Sequence, residues 1–320
     1  MILDYFTYTI HERASKMKKQ ADCGTAYILA AGSCWGFIGL FVKNLYSLGL
    51  SPYETVFYRM FLGSVFLGFL ILIKPSTSFK IKTKTLFKTM AIGMVSQMLF
   101  NYFYFRSIEV NSLSLAVILM YTAPVFSTVT ARFIYGESFS PKKIAALLSC
   151  LAGCFLTVTG GQLTVGNINF TGILLGLLSG FCFAMFPIIS KSIPPGNNPY
   201  TLTFYSMLFG SIFFFPVACL NDALLFTVSP GIFFYLALLV TASTSLPYIF
   251  YYTGMGSGIE ASKAGVVSTI EVAVAILVSL VFFKEIINIV QFFGILLVFA
   301  SIFMLNTREM TLFRIGKIQK

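Results

Sequence analysis

Charge is what this sequence has least of. Only 10% of its 320 residues are Asp, Glu, Lys or Arg, against roughly 25% in a soluble globular domain. That scarcity excludes an ordinary water-soluble fold. Histidine occurs once, as His11, ahead of the first long apolar run, so no imidazole is available within a membrane for metal binding or a proton relay. The six cysteines show neither a disulfide framework nor metal-ligand spacing. Four of them, Cys34, Cys150, Cys154 and Cys182, lie inside apolar runs, where a free thiol behaves as a small hydrophobe. Residues 1–22 lack the apolar run and small-residue cleavage site of a signal peptide, so the first apolar segment is expected to stay in the protein as a span. A nucleotide-binding cassette is missing too: Gly254-Met-Gly-Ser-Gly258 follows an apolar span instead of a strand and reads as a connection between helices. No cofactor and no metal are expected.

What fills the sequence is apolar residues, 57% of the chain with 36 Phe. Runs of about 20 apolar residues are long enough to cross the hydrocarbon core as helices, and ten are found, near 25–43, 54–73, 87–106, 113–134, 142–160, 171–190, 200–220, 231–252, 262–283 and 286–306. The expected fold is an all-α polytopic membrane protein. A net charge of +11 could point to nucleic acid, but the basic residues cluster between the apolar runs, where membrane topology requires them. With the N-terminus inside, eighteen Lys and Arg fall in or beside cytoplasmic segments, including Lys74 to Lys88 between spans 2 and 3; only Lys43, Arg106 and Lys284 fall outside, and Arg59 lies within a span. Both ends are therefore expected in the cytoplasm, with the basic loop 74–88 serving topology and contact with anionic lipids.

The chain repeats itself at an offset of 148 residues. Ser114-Leu115-Ala116 answers Ser262-Lys263-Ala264, Gly136-Glu137 answers Lys284-Glu285, and Trp35 to Lys43 aligns with Phe183 to Lys191. Each unit holds five spans, an odd number, so the second copy enters the membrane from the other side. The expected organisation is a cytoplasmic segment 1–23, a five-helix repeat 24–160, an inverted five-helix repeat 171–306 and a cytoplasmic tail 307–320. Inverted repeats are a transporter architecture whose site lies at mid-depth between the copies. Gly172, Gly176 and Gly180 share one face of span 6 and are read as a packing stripe, with a hinge as the minority reading. Pro124, Pro187, Pro216 and Pro247 lie within spans and can kink them.

Ten spans in two repeats, Trp35-Gly36 in span 1, Pro52 and Arg59 at the start of span 2, Pro124 in span 4 and Gly136-Glu137 at its end together resemble the drug/metabolite transporter superfamily, and within it the EamA-type branch of bacterial exporters and permeases. The resemblance covers about residues 24–306. It implies a membrane carrier for amino acids, nucleotide-linked compounds, vitamins or other metabolites. Glu271 matches the Glu of a Glu-Pro pair in span 9, but Val272 replaces the proline, which puts the helix break there in question. Lys284 likewise stands where a Gly is expected before Glu285.

Glu271 is the most informative residue, since a charged acid at bilayer depth costs roughly 2.5–3.5 kcal/mol on insertion scales. A cavity-facing role, in substrate binding or proton coupling, is favoured over a structural salt bridge. Arg59 can hold a carboxylate or phosphate with its planar fork, or snorkel toward the interface; both readings stand. Gln97 and Asn101, four apart on one face of span 3, either bridge helices or contact cargo. Tyr121, before Pro124, and Tyr248 and Tyr252, after Pro247, are candidates to stack on a ligand, and Trp35 lies mid-span instead of in the interfacial belt. Glu137 and Glu285, near opposite membrane faces, are expected to cap helices or bridge gates. The reading is a secondary transporter in a bacterial cytoplasmic membrane, exporting a small polar metabolite, best an amino acid or related compound, with a proton or counter-substrate supplying any energy. Its partners are that small molecule and membrane lipids, not nucleic acid. An integral membrane enzyme acting on a lipid-linked substrate, or a sensor, is the alternative. The acids are too scattered for the first and the soluble segments too short for the second.

Overall fold

The computed structural model describes residues 22–74, 77–162, 169–220 and 229–307. His11, the basic residues before 22 and those after 307, and with them most of the two expected cytoplasmic ends, lie outside the described residues. Ten spans succeed one another: α1 Asp22–Ser47, α2 Pro52–Ile73, α3 over 83–110, α4 Leu113–Tyr135, α5 Pro141–Thr159, α6 Phe170–Ser192, α7 Pro199–Leu220, α8 Pro230–Gly256, α9 Ala261–Phe283 and α10 Ile289–Asn306. Nine are long and apolar enough to cross a membrane. The other, α3, extends past its predicted limits of 87–106 into turns bearing Lys84 and Glu109, and carries Lys88 and Arg106 just inside them. No strand occurs among the described residues.

Helix starts are written locally. Ser51 accepts from the backbone of Glu54, whose carboxylate returns to the Ser51 N–H, with Pro52 filling the first turn; Asn288 and Gln291 make the same reciprocal box ahead of α10. Ser140 and Ser229 cap α5 and α8, each followed by a proline that fits the first helical turn, where no N–H is needed.

Helix pairing is symmetric under exchange of the repeats. α2 packs on its counterpart α7, and α5 on its counterpart α10; α3 with α6 is matched by α8 with α1, and α4 with α6 by α9 with α1. Between apolar helices in lipid there is little hydrophobic drive, so close approach through small residues supplies the packing. A Cβ on Gly172, Gly176 or Gly180 would meet Asn111, Leu119 or the Leu119 carbonyl within 3 Å, so the α6 stripe is a packing face against the ends of α3 and α4. Large apolar side chains such as Phe133, Leu220 and Ile286 face outward, as a lipid-facing surface requires.

The irregularities also come in matching pairs. π-helical stretches interrupt α3 at Ile92–Leu99 and α8 at Thr241–Ser245. α4 breaks at Tyr121 and Thr122, just before Pro124, and α9 breaks at Ser268 and Thr269. Val272 therefore does not abolish the break that its family counterpart proline would explain. Hydroxyls do it instead: Thr269 Oγ1 donates to the Val266 carbonyl at 2.6 Å and Ser268 Oγ to the Gly265 carbonyl at 3.0 Å, while the N–H groups of Glu271 and Val272 drop to the carbonyls three residues back. Such back-bonding bends helices and re-satisfies backbone freed at a break. α1 turns at Gly36 and Phe37, where a Cβ on Gly36 would meet Val274 and the Glu271 carbonyl.

Candidate functional site

The breaks of α4 and α9 face each other and present one polar side chain apiece. Tyr121 closes the first half of α4, and Glu271 lies in the first turn of the second half of α9, about 15 Å from the start of α9 by helical rise and so near the bilayer midplane. Tyr121 Oη donates to Glu271 Oε1 at 3.0 Å. A carboxylate in a helix's first turn is favoured by the helix dipole, yet among the described residues no Lys or Arg pairs with it. Glu271, Tyr121 and Tyr104 are half-buried, each keeping part of its surface open. A small cavity is bounded by Trp35, Pro124, Ser127, Phe186, Gly265 and Ser268, on the α4 and α9 breaks; Glu271 and Tyr121 are not part of its lining.

Arg59 provides the opposite charge. It sits seven residues into α2, about 10 Å from that helix's start, and is half-buried. Its Nε has no hydrogen-bond partner, and among the described residues no carboxylate pairs with it. Tyr248 is coupled electrostatically to both Arg59 and Glu271, and the Gln97 amide lies beside it without closing a well-formed hydrogen bond. Arg59 and Glu271 are each without a counter-ion among the described residues. Trp35 packs edge-on against Phe183, Phe186 and Tyr248 and tilted against Tyr251, forming the aromatic wall of this space.

Two of the expected residues are engaged elsewhere. Asn101 donates its amide to the Gln97 carbonyl of its own helix at 2.6 Å, and Tyr252 bridges α8 to α7 through Ser206 at 2.6 Å. The cavity-lining residues that the sequence did not mark are Tyr251, Ser127 and Ser268. The one local signal for them was a hydroxyl next to a helix break, as at Ser268.

Glu137 and Glu285 lie outside this centre, at opposite faces. The face of the connections α2 to α3, α4 to α5, α6 to α7 and α8 to α9 carries Lys74, Lys80 and Lys82 and, in the adjoining helix turns, Lys142, Lys143 and Lys191, whereas Lys43, Arg106 and Lys284 are at the other face. On the basic face Glu137 Oε1 accepts from Lys191 at 2.7 Å and from the Ala261 N–H at 2.8 Å, and Oε2 accepts from the Ser262 N–H at 3.2 Å and the Ser262 hydroxyl. Lys143 stands 3.7 Å from Oε2 and bonds Glu260 at 2.8 Å. Burial pushes the Glu137 carboxyl up, but the Lys191, Ser262 and Ala261 donors together hold it below the usual carboxylate range. On the other face Glu285 meets Lys43 at 3.2 Å with both side chains more than half exposed. No group of three metal-ligating side chains occurs among the described residues.

The chain matches the EamA-like transporter family twice, over residues 23–159 and 170–307. A transporter of Archaeoglobus fulgidus is 25% identical over 87% of this chain and 94% of its own length. The transporter YxxF of Bacillus subtilis is 23% identical over 88% of this chain and 89% of its own. One crystal structure of a protein superposes with a TM-score of 0.74 at 14% identity, covering 88% of this chain and 96% of that one, a likeness of fold.

Proposed function

The chain belongs to the EamA-like transporter family, and from that premise we propose that it is a secondary transporter exporting a small zwitterionic metabolite, an amino acid or a close relative, by alternating access. One observation carries the reading: Arg59 and Glu271, neither paired with an opposite charge among the described residues, both act electrostatically on Tyr248. Isolated charges in a low-dielectric interior are costly. A cargo with a carboxylate for the Arg59 fork and an ammonium for Glu271 supplies both counter-ions and leaves its side chain against the Trp35 wall. Trp35 lines the cavity and Tyr121, Tyr248 and Gln97 are assigned to cargo contact next to it, while Asn101 and Tyr252 hold the helices. Rocking of one repeat against the other exposes this centre to each side in turn. Energy comes from an ion or counter-substrate gradient, with Glu271 the candidate proton carrier. The basic face is assigned to the cytoplasm of a bacterial cell.

Counterflow in proteoliposomes tests this. Vesicles loaded with an amino-acid mixture are expected to take up labelled members of it, with simple carboxylates and simple amines as weaker competitors. Competition by either single-charge class as strong as that by the zwitterion would overturn the assignment.

A further inference from the structure

Each repeat lends a lysine to the other's glutamate. Lys191 binds Glu137, and Lys43 binds Glu285; adding 148 to Lys43 and Glu137 gives Lys191 and Glu285. The two pairs are the same device on opposite faces, caught in different states. Glu137 is 4% exposed and has closed onto the start of α9 through the N–H groups of Ala261 and Ser262. Glu285 is 56% exposed and reaches only Lys43.

The offset says where Glu285 belongs when its own face closes. Ala261 and Ser262 correspond to Leu113 and Ser114, the first two residues of α4. Ser112 caps the N–H of Leu115, but no acceptor among the described residues takes the N–H of Leu113 or Ser114. Ser114 preserves the hydroxyl that Ser262 gives to Glu137. We propose that Glu285 is the latch of the face opposite the basic one, closing onto the Leu113 and Ser114 N–H groups with Lys43 as its ion partner while Glu137 releases Ala261 and Ser262. The latches are unequal. Lys143, which supports Glu137, corresponds to Gln291, so the Glu285 latch lacks a second ammonium. The resting chain therefore favours the state seen here, sealed at the basic face.

This inference rests on the alternating-access reading, and its test needs no cargo. A reporter cysteine at Tyr104, with Cys23, Cys34 and Cys219 replaced by alanine, is labelled by a membrane-impermeant maleimide in vesicles of each orientation. Leu113→Pro deletes the proposed N–H at a position where proline suits a helix start, and Ser112 before it is already extended. Glu285→Ala and Leu113→Pro are each expected to cut labelling from the basic face about tenfold, the double variant no further, since both remove one contact. Glu137→Ala is expected to raise it. Unchanged basic-face labelling in Leu113→Pro with thermal stability retained, or independent effects in the double variant, would overturn the latch. Intact sided labelling without any counterflow in the unsubstituted protein would instead sink the transport reading and leave the latch standing.

Discussion

Lys284 adopts the left-handed backbone of Gly136, its counterpart 148 residues earlier: φ is 54° at Lys284 and 66° at Gly136. Both residues end a span, α9 and α4, and turn the chain so that Glu285 and Glu137 leave toward their lysines. Among the described residues Lys284 is the one non-glycine with positive φ. For an L-residue that conformation costs roughly 1–2 kcal/mol. Lys284→Gly is therefore expected to stabilise the protein by about 0.5–1 kcal/mol, and Gly136→Ala to destabilise it by about 1 kcal/mol or more. Thermal unfolding of the two variants in one detergent checks both signs.

Breaking the two ion pairs is expected to have very different consequences for stability. Glu137→Ala leaves Lys143 and Lys191 without their buried partner and is expected to cost about 3–5 kcal/mol. Glu285→Ala removes an exposed contact worth about 0–1 kcal/mol. Denaturation midpoints of the single variants measure the contrast; equal losses would mean the faces are equally sealed.

Acid should loosen the basic face first. The folded Glu137 carboxyl titrates below its unfolded value, so its contribution is fully present above the ordinary glutamate pKa of about 4.3 and is lost as pH falls through the lower folded pKa. Sided maleimide labelling of the Tyr104→Cys reporter from the basic face, divided by that of the same reporter in Glu137→Gln at the same pH so that the falling thiolate fraction cancels, is expected to rise as pH drops below about 4.

At the centre, Arg59→Ala is expected to weaken cargo binding about 10- to 100-fold, the scale of a hydrogen bond to a charged group, with Arg59→Lys recovering little because the planar fork is lost. Glu271→Gln keeps a partner for Tyr121. Counterflow should persist in it at reduced affinity, while uphill uptake driven by a pH gradient disappears. Full retention of gradient-driven uptake would remove Glu271 from proton coupling.

Tyr248→Phe and Tyr252→Phe separate cargo contact from scaffold. The Tyr252 hydroxyl meets Ser206, so its loss is expected to cost about 1 kcal/mol of stability and leave transport affinity unchanged. Tyr248→Phe is expected to do the reverse. Paired unfolding and competition measurements on the two variants decide it.

The sequence by itself determined the ten spans, the duplication and the sidedness of charge, because span length, a fixed 148-residue offset and loop lysines are local properties that apolar solvent imposes on any chain crossing it. It marked Glu271 and Arg59 through the cost of charge in lipid, and the Ser51 to Glu54 box through spacing alone. Only the tertiary structure decided how those residues are used. The α9 break was hidden because hydroxyls at Ser268 and Thr269 replace the missing proline, and serines and threonines occur in many unbroken spans. Gln97 and Asn101 share a face on an ideal helix, but a π stretch runs through Leu99 and Asn101 turns back onto its own backbone. Tyr248 and Tyr252 look alike in sequence and part company because Ser206 comes from α7 to meet one of them. A side chain's role inside this membrane protein depends on which distant helix packs beside it, and that is settled by the fit of small residues and helix breaks between segments more than 100 residues apart, as with Glu137 and Ser262.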